Sequence, residues 1–313
     1  MGRYEIALLP FAQLSPQACE ALAVALEEAQ EVLISWNLRQ TENGRIARAI
    51  RQLHTVAMNG SFGSTKAQLY ETARAIFLAN DLYVITRTLP SERDDPIAQE
   101  LAAILGGSLT EDTHDRRAYE MQSQFWFGTL LAQSELHPTL LAGVGRRPDF
   151  IVTVDNVRLA VEVKRPTSIS AAEYAVRKAH RQIRELGIPG IVALDLSDAI
   201  GLRQLDTERA RASGAVRPHD LARQPFNEAA EQVRHYIDSN RPNRFERLLG
   251  LIFYARYCVW HAPESSDLDF GLFLNGHIFE NVAGGIYDHF AIRMLGRLVP
   301  GIENLTGNPF IRE

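Results

Sequence analysis

Residues 147–166 read RPDFIVTVDNVRLAVEVKRP, and the fold turns on how this ribbon pairs with itself. Asp155-Asn156 can occupy the two turn positions of a tight hairpin, because both residue types tolerate positive φ. Val154 then faces Val157, and counting outward sets Thr153 opposite Arg158, Ile151 opposite Ala160 and Asp149 opposite Glu162. Side chains alternate between the two faces of a strand. One face therefore carries Phe150, Val152, Val154, Val157, Leu159, Val161 and Val163, all apolar. The other carries Asp149, Ile151, Thr153, Arg158, Ala160, Glu162 and Lys164.

This register presses two carboxylates together at the end of the hairpin away from the turn, with β-carbons about 5 Å apart. Like charges directly opposite destabilise a sheet, so unless one is protonated a cation belongs between them. Lys164 shares the face and supplies one positive charge. A hard divalent cation such as Mg2+, which takes one or two carboxylates and several waters, does so more completely. Lys164 is then placed to orient or deprotonate an attacking water, and the cation to stabilise charge on a phosphoryl oxygen. The alternative is a set of surface ion pairs joining Asp149 and Glu162 to Arg147, Lys164 and Arg165. Three features favour the metal: the charges cluster at one end, the opposite face is wholly apolar, and basic residues continue into the next helix.

Outward from the hairpin, residues 113–135 (THDRRAYEMQSQFWFGTLLAQSE) have helical periodicity, and Phe125-Trp126-Phe127 within them reads as core. TLLAGV, DFIVTV and VRLAVEV read as strands, 173–187 as a helix and GIVALDLS as a strand. The order is helix, three strands, helix, strand. Beyond Arg203 a polar segment (QLDTERARASGAVRP) leads to a helix near 219–238. LLGLIFYARYCVW (248–260) reads as a buried strand, and DFGLFLNGHIFENV as a hairpin turning at Asn275-Gly276. The first hundred or so residues read as helices, with cap-plus-proline starts at Ser15-Pro16 and Asp95-Pro96. Gly106-Gly107 marks the boundary between an α-helical N-terminal region, 1–108, and an α/β domain, 109–313.

Pro148-Asp149, followed on the next strand by Glu162-Val163-Lys164, resembles the PD-(D/E)xK nuclease superfamily, and the element order resembles its restriction-endonuclease-like core. The resemblance covers about a third of the chain and leaves the helical N-terminus unaccounted for. It implies a metal-dependent nuclease using Mg2+ (or Mn2+) on phosphodiesters, with DNA the favoured substrate. Asp149 and Glu162 would be its metal-binding acids and Lys164 its catalytic lysine. The superfamily often adds a glutamate from the first core helix, and Glu120 matches in position. Glu120 shares a stripe with Phe127 and Leu131, where a carboxylate wants either a metal or an ion-pair partner. Gln182 is a further candidate, since a residue of the following helix touches the site in some members.

From Arg146 to Arg184 nine positives stand against four negatives, a local excess of +5 in a chain of net charge -5. Arg165, Arg177, Lys178 and Arg181 are read as phosphate contacts, with a solvated basic helix face as the alternative. The overall charge excludes a protein basic throughout. Cys19 and Cys258 have no CxxC or Cys/His spacing and read as reduced thiols of a cytoplasmic protein. The N-terminus is interrupted by polar residues and proline and does not read as a secretory signal, and no apolar run is long enough for a membrane. GSFGSTK (60–66) does not meet GxxxxGK[ST], the histidines lack HExxH spacing, and there is no GxSxG. The leading expectation is a nuclease whose 1–108 region recognises substrate, forms a homodimer or contacts a partner protein. The alternative is a catalytically inactive nuclease-fold protein that binds nucleic acid or acts as a scaffold.

Overall fold

The computed structural model describes residues 3–38, 44–88, 95–107, 109, 116–141, 147–200, 218–239, 245, 247–260, 268–278, 293–298 and 300–301. Strand β1 (Arg3–Leu14) precedes helices α1 (Ala18–Ser35), α2 (Arg45–Asn59), α3 (Lys66–Thr88), α4 (Asp95–Leu105) and α5 (Arg117–Gln133). Strands β2 (Thr139–Leu140), β3 (Phe150–Val154) and β4 (Val157–Lys164) follow, then α6 (Ile169–Leu186) and β5 (Gly190–Asp195). Helix α7 (Pro218–Ser239) and strands β6 (Leu248–Trp260) and β7 (Leu268–Ile278) complete the described elements. The polar segment before α7 lies outside the described residues.

The strands form one mixed sheet in the order β1-β7-β6-β5-β4-β3-β2. The β3–β4 pair is antiparallel in the expected register, from Val154 opposite Val157 to Phe150 opposite Val161. Asp155 and Asn156 hold φ of 49° and 67°, the left-handed conformation that a two-residue hairpin turn demands. Strands β4, β5 and β6 run parallel. Parallel strands are covered on both faces and so read as continuous apolar runs; every residue of β5 is buried, as is the described part of β6. Val176, Ala179 and Ile183 of α6 pack with Phe226, Val233 and Ile237 of α7 against Ala160, Val192, Leu194 and Leu251 of the sheet. Ser168 caps α6 by accepting a hydrogen bond from the Ala171 N–H (3.1 Å), and Gly187 ends it at φ 81°.

The N-terminal region is not wholly helical, because Arg3–Leu14 is a strand. Its place at the sheet edge suits Pro10, which has no N–H for a second neighbour. Asn275-Gly276 does not turn a hairpin; both residues lie inside β7. The glycine serves packing, since a Cβ on Gly276 would meet the Leu295 side chain at 2.7 Å.

The chain forms two compact units. One comprises Met1–Phe11, Leu130–Val259 and Asp269–Thr306, and the other Ala12–Thr129, Trp260–Leu268 and Gly307–Glu313. The division falls inside α5, not at Gly106-Gly107, because the first turns of α5 are tied to the helices of the second unit. Arg45 Nη2 donates to Gln122 Oε1 (2.5 Å), Gln122 Nε2 donates to Asp81, and the Arg45 guanidinium lies 4.3 Å from the Tyr119 ring centroid. Within that unit α1, α2 and α3 pack together and bury Leu26, Leu33, Ile46, Leu53 and Ile76.

Gly190, the first residue of β5, is fixed by close approach: a Cβ there would lie 2.7 Å from the Ala160 carbonyl oxygen and 3.0 Å from Ile183 Cδ1. Since the first contact is backbone and cannot yield, Gly190→Ala is expected to cost about 1–3 kcal/mol, read as a lower urea midpoint with unchanged slope.

Candidate functional site

The open end of the β3–β4 hairpin brings Asp149, Glu162 and Lys164 together. Asp149 stands just before β3, its carbonyl accepting from Leu141 N (2.9 Å). Its own N–H donates to Glu162 Oε2 at 3.0 Å, and Val163 N–H donates back to Asp149 Oδ2 at 2.7 Å. Each carboxylate thus reaches the opposite strand, extending the pairing one step beyond the backbone ladder. Lys164 Nζ donates to Glu162 Oε1. The Glu162 side chain is 0% exposed and that of Lys164 22%, so the ammonium bridges a buried acid and the exterior.

Burial pushes the Glu162 carboxyl up to about 8, and the neighbouring Asp149 charge adds to the rise, while Lys164 and the Asp149 N–H oppose it. Without a further cation, Glu162 therefore keeps its proton to unusually high pH. The donors here are hard carboxylate oxygens, the set that Mg2+ and Mn2+ take. Among the described residues no group of three or more His, Cys, Asp or Glu side chains could hold a metal. Two carboxylates with water and substrate oxygens completing the shell is the habit of Mg2+, so the residues fit a Mg2+-type ion but not an all-protein cage.

Two expected site residues differ from expectation in their burial. Glu120 is exposed rather than part of a buried stripe: it sits in the first turn of α5, and continuous burial of the helix begins only at Gln122. An acid in a first turn is favoured by the helix dipole. Arg165 is not available to phosphate. Its Nε and Nη2 both bond the Asp198 carboxylate (2.9 Å each), its Nη1 lies 3.7 Å from Asp195, and its side chain is 3% exposed. The two aspartates hold the guanidinium above its already high range against the cost of burial. By strand alternation Arg165 faces away from Lys164.

Arg177, Lys178 and Arg181 are exposed on α6, opposite the face that packs on the sheet. Gln182 Nε2 donates to the Arg147 carbonyl (2.8 Å), which anchors the chain two residues before Asp149. The buried Asp195–Arg165–Asp198 cluster, which Ser197 and Arg256 complete, left a single trace in the sequence. Ser197 Oγ donates to Asp195 and accepts from Arg256 N–H (2.9 Å), and Arg256 Nη2 lies 3.8 Å from Asp195. The available signal was Arg256 itself, a charge inside an otherwise apolar strand that wants a buried partner.

Compared with protein-family models, curated proteins and solved structures, the chain matches none.

Two measurements follow from this geometry. In EDTA, a carboxyl whose folded pKa lies above its unfolded one destabilises the fold as pH rises through that interval. Stability is therefore expected to fall from about pH 5 to about pH 8, as the raised Glu162 carboxyl titrates, and Glu162→Gln should flatten that slope in urea titrations. Arg165→Ala takes a bidentate guanidinium from the buried Asp198 and a neighbouring positive charge from the buried Asp195, and is expected to cost about 3–5 kcal/mol in the same measurement.

Proposed function

We propose that this chain is a divalent-metal-dependent nuclease acting on phosphodiesters, with DNA the favoured substrate and Mg2+ the favoured ion. The observation that carries the reading is the Asp149–Glu162–Lys164 cluster: two carboxylates locked across a hairpin end with an ammonium against one of them. The succession α5, β2, β3, β4, α6, β5 supports reading the core as restriction-endonuclease-like. Asp149 and Glu162 would hold the ion. A divalent cation supplies charge stabilisation on a phosphoryl oxygen and makes a water easier to deprotonate.

The side chains contribute the rest. The backbone N–H groups of Asp149 and Val163 fix the two carboxylates, so little ordering is needed when substrate arrives. Lys164, partly exposed beside Glu162, would orient the attacking water and exchange a proton with it. The exposed cations of α6 would hold the phosphate backbone without regard to base sequence.

A second reading has its own support. With two carboxylates, a lysine already on Glu162 and no third acidic or imidazole ligand among the described residues, the cluster suits a nuclease-like protein that binds nucleic acid without cutting. One experiment separates them: supercoiled, linear and single-stranded substrates are incubated with Mg2+ or EDTA, beside Lys164→Ala. The nuclease reading expects cutting that EDTA abolishes and that Lys164→Ala lowers by about 10²–10⁴-fold. Tight binding with no cutting under any condition supports the second reading.

A further inference from the structure

We propose that the groove between α6 and α7 seats an unpaired nucleobase while the outer face of α6 holds the adjoining phosphates, so that the strand taken is single-stranded or frayed. The inference rests on the nucleic-acid reading above and narrows its substrate.

Tyr174, Arg177, Lys178 and Arg181 recur at i, i+3, i+4 and i+7 and so form one stripe, about 10 Å long. All four are exposed, and Tyr174 is 63% exposed, a large aromatic left in water. The Arg177 guanidinium lies 5.8 Å from the Tyr174 ring centroid and 5.9 Å from that of Tyr236 on α7, within cation–π range of both. One cation thereby ties the two rings together. Lys178 and Arg181 are paired with no carboxylate among the described residues, which leaves their charge for a ligand.

Tyr236 also lines an open groove of about 610 Å3, together with Glu173, Glu231, Gln232, His235 and Ser239. Glu231 is already paired with Arg234, whereas the Glu173 carboxylate repels phosphate but accepts hydrogen bonds from the amino groups of adenine, cytosine or guanine. The stripe and the groove therefore divide a nucleotide by charge, phosphate on α6 and base beside it. Within a duplex each amino group keeps one hydrogen in a groove, but the ring faces are stacked against their neighbours. Only an unpaired base offers both an edge to Glu173 and a face to Tyr174. A membrane surface fits less well, because Val176, Ala179 and Ile183 of α6 are buried in the core and no apolar face remains to insert.

The test uses the full chain in EDTA, so that binding is read without cutting. Fluorescence anisotropy compares a fluorescein-labelled mixed-sequence single strand, its blunt duplex and phosphatidylserine vesicles. The expected result is tighter binding of the single strand. Tyr174→Ala should weaken the single strand by about fivefold to a hundredfold, the span of one lost base stack, and leave the duplex unchanged. Tyr174→Trp should restore the single strand, which a folding defect would not allow. Arg181→Ala should weaken both nucleic acids and lower the salt slope by about one. Equal or tighter duplex binding, indifference to Tyr174→Ala, or a preference for vesicles overturns the inference. Duplex cleavage without a single-strand preference sinks this inference and leaves the nuclease reading standing. Single-strand binding that depends on Tyr174, in a chain that cuts nothing, does the reverse.

Discussion

The burial of one carboxylate governs the arrangement of this protein. Glu162 lies on the sheet face that α6 covers, alongside Ala160 and with none of its side chain in water. An unpaired charge in that position is untenable, so what surrounds it must supply compensation. The Asp149 N–H and the Lys164 ammonium do so, and both depend on the β3–β4 register. A slip of one residue would carry Glu162 and Lys164 to the other face and bring valines to theirs. Fold and candidate chemistry therefore share a single constraint, the pairing that begins at Asp155-Asn156.

Consecutive residues at the end of β4 serve opposite purposes because they point to opposite faces. Lys164 leans toward Glu162 and keeps some contact with the exterior, whereas Arg165 is drawn inside by Asp195 and Asp198. That second cluster joins the ends of β4 and β5 to the middle of β6 through Ser197 and Arg256. A bidentate guanidinium holds direction as well as distance. The strand end from which Lys164 projects is thus fixed from behind, and Gln182 of α6 fixes the approach to Asp149 by holding the Arg147 carbonyl.

The surface follows the same division. The side of α6 that meets the sheet is aliphatic, and its outer side carries Arg177, Lys178 and Arg181 with an exposed tyrosine at one end. A helix whose aliphatic residues all fall on one side has to present its charge outward. The pairing of Arg177 with rings from two helices turns a generic basic face into a defined one.

The hairpin, its turn and the meeting of Asp149 with Glu162 were legible in the sequence, because positive φ at Asp155-Asn156 and two-residue alternation are local properties that survive into the fold. The succession of helix and strands around it was legible for the same reason, as was the strand 248–260. Depth was not. Arg165 and Arg177 look alike in sequence, yet one is locked inside by aspartates thirty and thirty-three residues away and the other faces outward. Glu120 has the spacing of a core position but falls on the turn where α5 emerges. Asn275-Gly276 has the composition of a turn, but Leu295 claims the space above the glycine and the strand runs straight through. Which residues alternate is settled by covalent geometry along the chain. Which of them lose water is settled by segments distant in sequence, and only the tertiary structure brings those together.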